Sequence, residues 1–305
     1  MTNGFLKNLF KRPVDSTMVI LTFLATLIIV AILTVILTTI TISGAPHLSW
    51  DFIIKAPEEG MTEGGIFPAI VGTTMLVITM SILGLPIGLI TAVFLHEYAG
   101  EKSRLANIVR FAVNNLAGVP AIVYGIFGLS FFVFFVGAQI DNAFYSGSLK
   151  WGKPALIWAS CTMALLTLPV VIVSVEEALR TVTQDEREAA YALGATHWEV
   201  VYKVVIPRAF SGILTGGILA VSRGAGEVAP VLFTGAAYFL PELPSSFADQ
   251  FMEMGYHIFV MSTQSHDVDA TKPIQFATTL VLLLLTFSLN FVAVLMRRRI
   301  RISRR

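Results

Sequence analysis

EEALRTVTQDEREAAYALGATHWEVVYKVVIPRAF, residues 176–210, is a polar, helix-forming stretch set between two long apolar runs, and its reading decides the fold. Acidic residues come first, and Thr183 stands three positions ahead of Glu186, the spacing of a capping box at a helix start. Alanines at 189, 190 and 192 favour helix and add little bulk, Gly194 ends or bends the segment, and Pro207 precedes the next apolar run. The stretch predicts a helix, a turn and a second helix along a membrane surface. Periodicity alone describes an ordinary amphipathic connection equally well.

The apolar runs on either side set the class. Of 305 residues 55% are hydrophobic and 13% charged, and the mean hydropathy is +0.76, values far from those of a soluble domain. This is the composition of an all-α integral membrane protein. A bilayer core of about 30 Å needs roughly 20 apolar residues in a helix. Six stretches qualify, from about Thr17 to Ile42, Ile66 to Leu95, Ile108 to Gly137, Pro154 to Val175, Gly212 to Leu240 and Pro273 to Met296. Pro86, Pro120 and Pro169 fall inside three of them, each removing a backbone donor, so the second, third and fourth helices are expected to bend. The first run follows LKNLFKRPVD and exceeds the apolar length of a secretory signal, so a retained first helix is expected.

Basic residues outside these runs lie mostly on one side. Lys7, Lys11 and Arg12 precede the first helix, Lys102 and Arg104 follow the second, and Arg180, Arg187, Lys203 and Arg208 lie between the fourth and fifth. The tail holds Arg297, Arg298, Arg299, Arg301, Arg304 and Arg305, whereas the opposite side has only Lys55, Lys150, Lys153 and Lys272. Positive residues stay inside, so both termini are expected in the cytoplasm of a multi-pass membrane protein. The net charge of +1 implies no nucleic-acid-binding surface. In the long outer connection, SSFADQFMEMGYHIF places Phe247, Phe251 and Met254 at helical spacing, predicting a short amphipathic helix on the outer face.

Glu188, Ala189, Ala190 and Gly194, followed by Val204, Ile206 and Pro207, resemble the EAA loop of ATP-binding-cassette importer permeases. Val204 and Ile206 stand where Ile and Leu are commonest, which keeps the positions apolar. The resemblance implies a type I importer permease fold with six transmembrane helices. It also implies that the loop, at about 180–208, is a coupling helix that docks on a separate ATPase, with Glu188, Ala189, Ala190, Gly194, Ile206 and Pro207 at the interface. No phosphate-cradling loop occurs here; AGEKS at 99–103 lacks the spacing. No cofactor is therefore expected on this chain, and ATP and Mg belong to two ATPase subunits. Residues 1–65 read as an amino-terminal segment with the first helix and outer loop, 66–297 as the transport unit, and 298–305 as a basic tail.

The solute must be chosen by other residues. Arg223 and Glu227 sit four apart in an otherwise apolar run, where charge is costly unless paired and usually marks a substrate or ion path. A guanidinium presents a planar fork of donors suited to tetrahedral oxyanions, and a carboxylate beside it accepts from a protonated phosphate but not from sulfate. The same pair also reads as a fixture of helix register. SRGAGEVAPVLFTGAA, 222–237, resembles the fifth-helix signature of A-type permease subunits of bacterial phosphate-specific transporters, and LAGVPAIVYGIFGL, 116–129, is similar to their third helix. Val228 stands where threonine is usual.

That resemblance covers about Ile66 to the C-terminus and implies phosphate as solute, a homologous C-type permease subunit beside this one, and an extracytoplasmic phosphate-binding protein. Sulfate or molybdate permeases, and an ATP-independent anion channel or carrier, are the rival readings. Asn114 and Asn115 either line the exit path or bond between helices. His96, Glu97 and Tyr98 read as snorkelling residues at the inner boundary, Cys161 as packing, the phenylalanines at 131, 132, 134 and 135 as lipid-facing or packing residues, and His197, His257 and His266 show no metal-ligand spacing.

Overall fold

A computed structural model describes residues 13–99, 103–265 and 267–302. Lys7, Lys11, Arg12, Lys102, His266, Arg304 and Arg305 lie outside the described residues, as do the side chains of Arg297, Arg299 and Arg301. Helix α1 spans Pro13–Gly44, and α2, Trp50–Ile54, leads into a two-residue antiparallel pair, β1 Pro57–Glu58 with β2 Glu63–Gly64. Helix α3, Phe67–Val93, ends in a π-helical turn, Phe94–Tyr98; α4 is Arg104–Leu116. Helix α5, Ala121–Gly128, continues through a π-helical stretch, Leu129–Gly137, into α6, Ala138–Phe144. Then come α7 Leu156–Arg180, α8 Gln184–Ala192, α9 His197–Val200, a π-helical turn Val201–Val205, and α10 Ile206–Gly224. Short α11, Ala229–Thr234, precedes α12 Met254–Thr263 and α13 Val268–Ile302.

Among the described residues six helical stretches are long and apolar enough to cross a membrane: Ser16–His47, Phe67–Tyr98, Ala121–Phe144, Leu156–Arg180, His197–Gly224 and Val268–Val292. The number is as read from the sequence, and three boundaries are not. The third span starts at Ala121 rather than near 108, because the chain breaks at Ala117–Pro120 and α4 is a separate amphipathic helix. Pro120 is the N-cap of α5 rather than an interior residue, a position where its missing N–H costs nothing. The fifth span runs from His197 to Gly224 and stops where the sequence suggested it was only half complete. Pro86 and Pro169 do lie inside α3 and α7.

Helix α7 is the most enclosed span, flanked by α3 on one side and α10 on the other. Small residues let them approach: an added Cβ on Gly212 or Gly216 of α10 meets Ala178 at 2.6 Å and Ser174 at 2.4 Å. Helix α1 stands at the opposite extreme, exposed along its length and resting chiefly on α13.

The outer connection after α11 is not the amphipathic surface helix expected at 245–259. Residues 245–253 are irregular, and the chain folds back into the bundle, where Phe251, Met252 and Met254 are buried. Backbone donors of Leu156 and Ile157, orphaned at the start of α7, find Asp249 O at 2.9 Å and Phe247 O at 3.0 Å. Gly72 of α3 admits this loop, since a Cβ there would lie 2.0 Å from Met252 O. Phe247 is exposed, Phe251 is buried within the loop and Met254 begins α12, so their helical spacing does not mark one helix.

Candidate functional site

The run that carries Arg223 and Glu227 is not one helix. Arg223 lies in the last turn of α10, the chain turns through Gly224, Ala225 and Gly226, and α11 begins at Ala229 with Pro230 in its first turn. Pro230 cannot donate to a preceding helical carbonyl, and glycines on either side of Ala225 lower the cost of the break. Gly224 also fits against Met80, whose Cε would lie 2.6 Å from an added Cβ. Arg223 Nε is 3.8 Å from Glu227 Oε1, a salt bridge that reaches across the break rather than along a helix face. The side chains are 60% and 28% exposed in the isolated chain, so the guanidinium is only loosely held and its remaining donors face open space. An Arg at a helix C-terminus is also favoured by the helix dipole.

Asn114 and Asn115 lie in the last turn of α4, not within a membrane span, and both are exposed. Asn115 Nδ2 donates to Phe111 O at 2.7 Å, a bond within its own helix. No described contact joins either asparagine to Arg223 or Glu227. Tyr124 of α5, which the sequence reading passed over, is nearer the pair: Arg223 is close enough for its charge to act on the buried phenol, whose O–H donates to Leu116 O at 2.8 Å. The apolar GVPAIVYG context hid it, because a tyrosine at that position reads equally as packing.

A cavity of about 420 Å³ lies beside the pair, bounded by Leu85, Leu89, Val171 and Leu289, with Ser222 and Asn290 hydrogen-bonded to each other in its wall. With no cation in its lining it offers an oxyanion nothing. Among the described residues no three His, Cys, Asp or Glu side chains come together. Cys161 is half-buried with a free thiol, and Phe132 stacks on Trp158 with ring centroids 6.3 Å apart, in keeping with packing roles.

The polar loop forms the expected helix, turn and helix. Thr183 accepts from Glu186 N at 3.4 Å at the start of α8, and a second, complete box starts α9: Thr196 Oγ1 accepts from Glu199 N at 3.3 Å while Glu199 Oε2 accepts from Thr196 N at 3.0 Å. THWE at 196–199 spells that box in the sequence. Gly194, between the two helices, has φ +86°, a conformation that glycine adopts without strain. Glu188, Ala189, Gly194 and Trp198 are exposed, Ala190 is half-buried, and Leu193 at the tip is 90% exposed. Ile206 and Pro207 do not precede the fifth span but lie inside it, nearly three turns after its start at His197. They are half-buried, set back from the exposed tip.

A six-span bundle carries a helix-turn-helix leading into its fifth span and a charged pair where that span ends. The chain belongs to the family of binding-protein-dependent transport system inner membrane components, whose sequence pattern matches residues 84–302. It is 34% identical over 234 residues to the phosphate transport system permease protein PstA of Haemophilus influenzae, covering 76% of this chain and 77% of that one. It is 35% identical to PstA of Pasteurella multocida, over 72% and 73% of the two chains. It is 31% identical to the probable ABC transporter permease protein YqgI of Bacillus subtilis, over 80% and 81%. Among solved structures, a chain of a bacterial alginate ABC transporter superposes with a TM-score of 0.68 at 14% identity, covering 96% of this chain and 97% of that one. A chain of the MetNI methionine ABC transporter superposes with a TM-score of 0.56 at 18% identity over 77% and 97%. Identities this low establish the shared fold alone.

Proposed function

We propose that this chain is the permease subunit of an ATP-driven phosphate importer, in which Arg223 and Glu227 meet the passing anion. The observation that carries this reading is the loosely held Arg223 guanidinium at the end of the fifth span, on a chain resembling PstA proteins over three quarters of its length. A planar fork of donors matches phosphate oxygens, and 3.8 Å leaves Glu227 close enough to restrain Arg223 without consuming its donors. Glu227 also accepts a hydrogen bond from the protonated oxygen of a phosphate monoanion or dianion, which discriminates against sulfate. Gly224 and Gly226 let α11 move relative to α10, which changes the Arg223 to Glu227 spacing and so alternates capture with release.

In this reading a homologous C-type permease covers the exposed flank of Arg223, and an extracytoplasmic binding protein delivers phosphate. Two ATPase subunits hydrolyse ATP with Mg and dock on the exposed surface of Glu188, Ala189, Ala190 and Gly194. Both termini and the 181–196 connection face the cytoplasm. Asn114 and Asn115 line the inner mouth rather than the pathway through the membrane. Ile206 and Pro207 carry loop motion into the fifth span, of which they are part. The test is phosphate against sulfate uptake in vesicles holding this chain with its co-purifying subunits. Arg223→Gln is expected to leave assembly intact and lower phosphate uptake by a factor of about ten or more, the value of a hydrogen bond to a charged group. Sulfate-selective uptake by the unaltered complex, or full uptake by the inserted variant, overturns the assignment.

A further inference from the structure

Both arms of the loop turn are tied to one residue outside it. The Glu97 carboxylate lies 2.9 Å from Arg187 Nη2 on α8, and the Glu97 backbone carbonyl lies 3.1 Å from His197 Nε2 at the start of α9. A carbonyl has no proton to give, so His197 carries its proton on Nε2 and its Nδ1 accepts from the Tyr191 O–H at 2.6 Å. The His197 ring is held between Tyr191, at 6.3 Å in a stacked arrangement, and Tyr98, edge-on at 4.9 Å. Arg187 Nη2 also donates to Leu179 O at 3.3 Å, which brings the end of α7 into the same junction.

The reason lies in how α3 ends. Its π-helical turn at Phe94–Tyr98 leaves the last carbonyls without donors from the helix itself. Leu95 O is satisfied by Arg110 Nη2 at 2.7 Å, and Glu97 O by His197. Side chains of Arg187 and Glu97 are 16% and 6% exposed, so this ion pair is shielded in a way that surface pairs are not. Removing either partner leaves the other charge buried and unpaired. Glu188, Ala189 and Gly194 are exposed and unattached to the end of α3, whereas the shielded Arg187 and the exposed His197 both bond to it.

We propose that Glu97 is the positioning residue that transmits movement of the loop turn to α3, because its carboxylate engages one arm and its carbonyl the other. Two attachments on either side of the Gly194 reversal resist rotation of the turn as well as translation. The proposal rests on the reading of this loop as the ATPase-docking element.

The experiment measures phosphate moved per ATP hydrolysed in vesicles containing the whole complex, for the unaltered chain, Glu97→Gln, Arg187→Gln and the exchange Glu97→Arg with Arg187→Glu. Each single variant is expected to assemble and hydrolyse ATP while the transport ratio falls by about tenfold, the scale of a lost charged hydrogen bond, and the exchange is expected to recover most of it. An unchanged ratio in the single variants overturns the proposal. So does a parallel fall in transport and hydrolysis, or an exchange no better than the singles. Should Glu97→Gln fail to assemble, His197→Ala, which removes the carbonyl link and leaves the carboxylate link to Arg187 in place, must lower the ratio or the proposal fails. Selective transport of another anion by the unaltered complex overturns the phosphate reading alone, since the ratio is then measured with that anion.

Discussion

At the scale of single residues, the charged groups divide by what surrounds them. Arg223 and Glu227 lie between α10 and α11 with much of their side chains exposed, whereas Glu253 is enclosed at the start of α12. Glu253 Oε1 accepts from Gly255 N at 2.8 Å and Oε2 from Tyr256 N at 2.6 Å, while Met254 N donates to Thr73 on α3 at 2.9 Å. Burial outweighs these bonds and pushes the Glu253 carboxyl from its ordinary 4.5 up to about 7. A folded-state value above the unfolded one means that the folded chain holds a proton the unfolded chain has released. This contribution is therefore fully present below pH 4.5 and is lost as pH rises through about 7.

Nearby His257 acts in the opposite sense. Burial lowers it from 6.5 to about 4, so its contribution is present above pH 6.5 and is lost as pH falls through 4. The two slopes oppose each other between pH 4.5 and 6.5, and only the Glu253 decline continues above that window. Glu253→Gln is expected to abolish the decline around pH 7 and leave the rise through pH 4 to 6.5. Thermal midpoints of the purified protein and the variant from pH 5 to 8 measure the difference; parallel curves above pH 6.5 refute the assignment. Glu253 was visible in the sequence only as one acid in an outer loop. Its enclosure depends on Gly72 and Thr73, nearly two hundred residues earlier, and no local pattern reports that.

At the scale of elements, helix ends decide more than helix interiors. Helix α10 stops at a glycine pair and a proline, α3 stops in a π-helical turn, and α8 stops at Gly194 with φ +86°. A β-branched side chain at Gly194 is strained by about 1–2 kcal/mol even though nothing lies within 4 Å of its Cβ position. Gly194→Val is accordingly expected to disturb the turn without a packing clash, lowering ATP-driven uptake while leaving the Arg223 and Glu227 geometry unchanged. Uptake together with co-purification of the ATPase checks this, and unaltered transport counts against a docking role. The loop itself was legible because THWE, the alanine run and Gly194 are local signals for caps, helix and reversal. The start of the third span was not, since 108–137 is apolar enough to read as one run and only the Ala117–Pro120 break separates the surface helix from the crossing.

At the scale of the whole molecule, six spans arrange a buried α7 between α3 and α10 and leave α1 almost wholly exposed. Its exposed residues are the apolar side chains that a bilayer accepts. The expected topology is checked with single cysteines in a Cys161→Ala background. Phe144→Cys, in an exposed position before the 145–155 connection, is expected to react with an impermeant thiol reagent added outside intact cells, and Leu193→Cys only after permeabilisation. The reverse pattern overturns the orientation.

Hydropathy by itself determined six membrane-length stretches, because bilayer thickness acts over short stretches of sequence, and the importer-permease reading came from the resemblance of residues 188–207 to a family loop. Arg223 and Glu227 stood out for the same local reason. Tertiary structure alone decided that this pair straddles a break, that the outer loop folds inward to cap α7, and that Glu97 joins both arms of the loop turn. The inward loop and the Glu97 junction depend on backbone groups at one helix end being satisfied by residues remote in the chain, a requirement that any one segment leaves open.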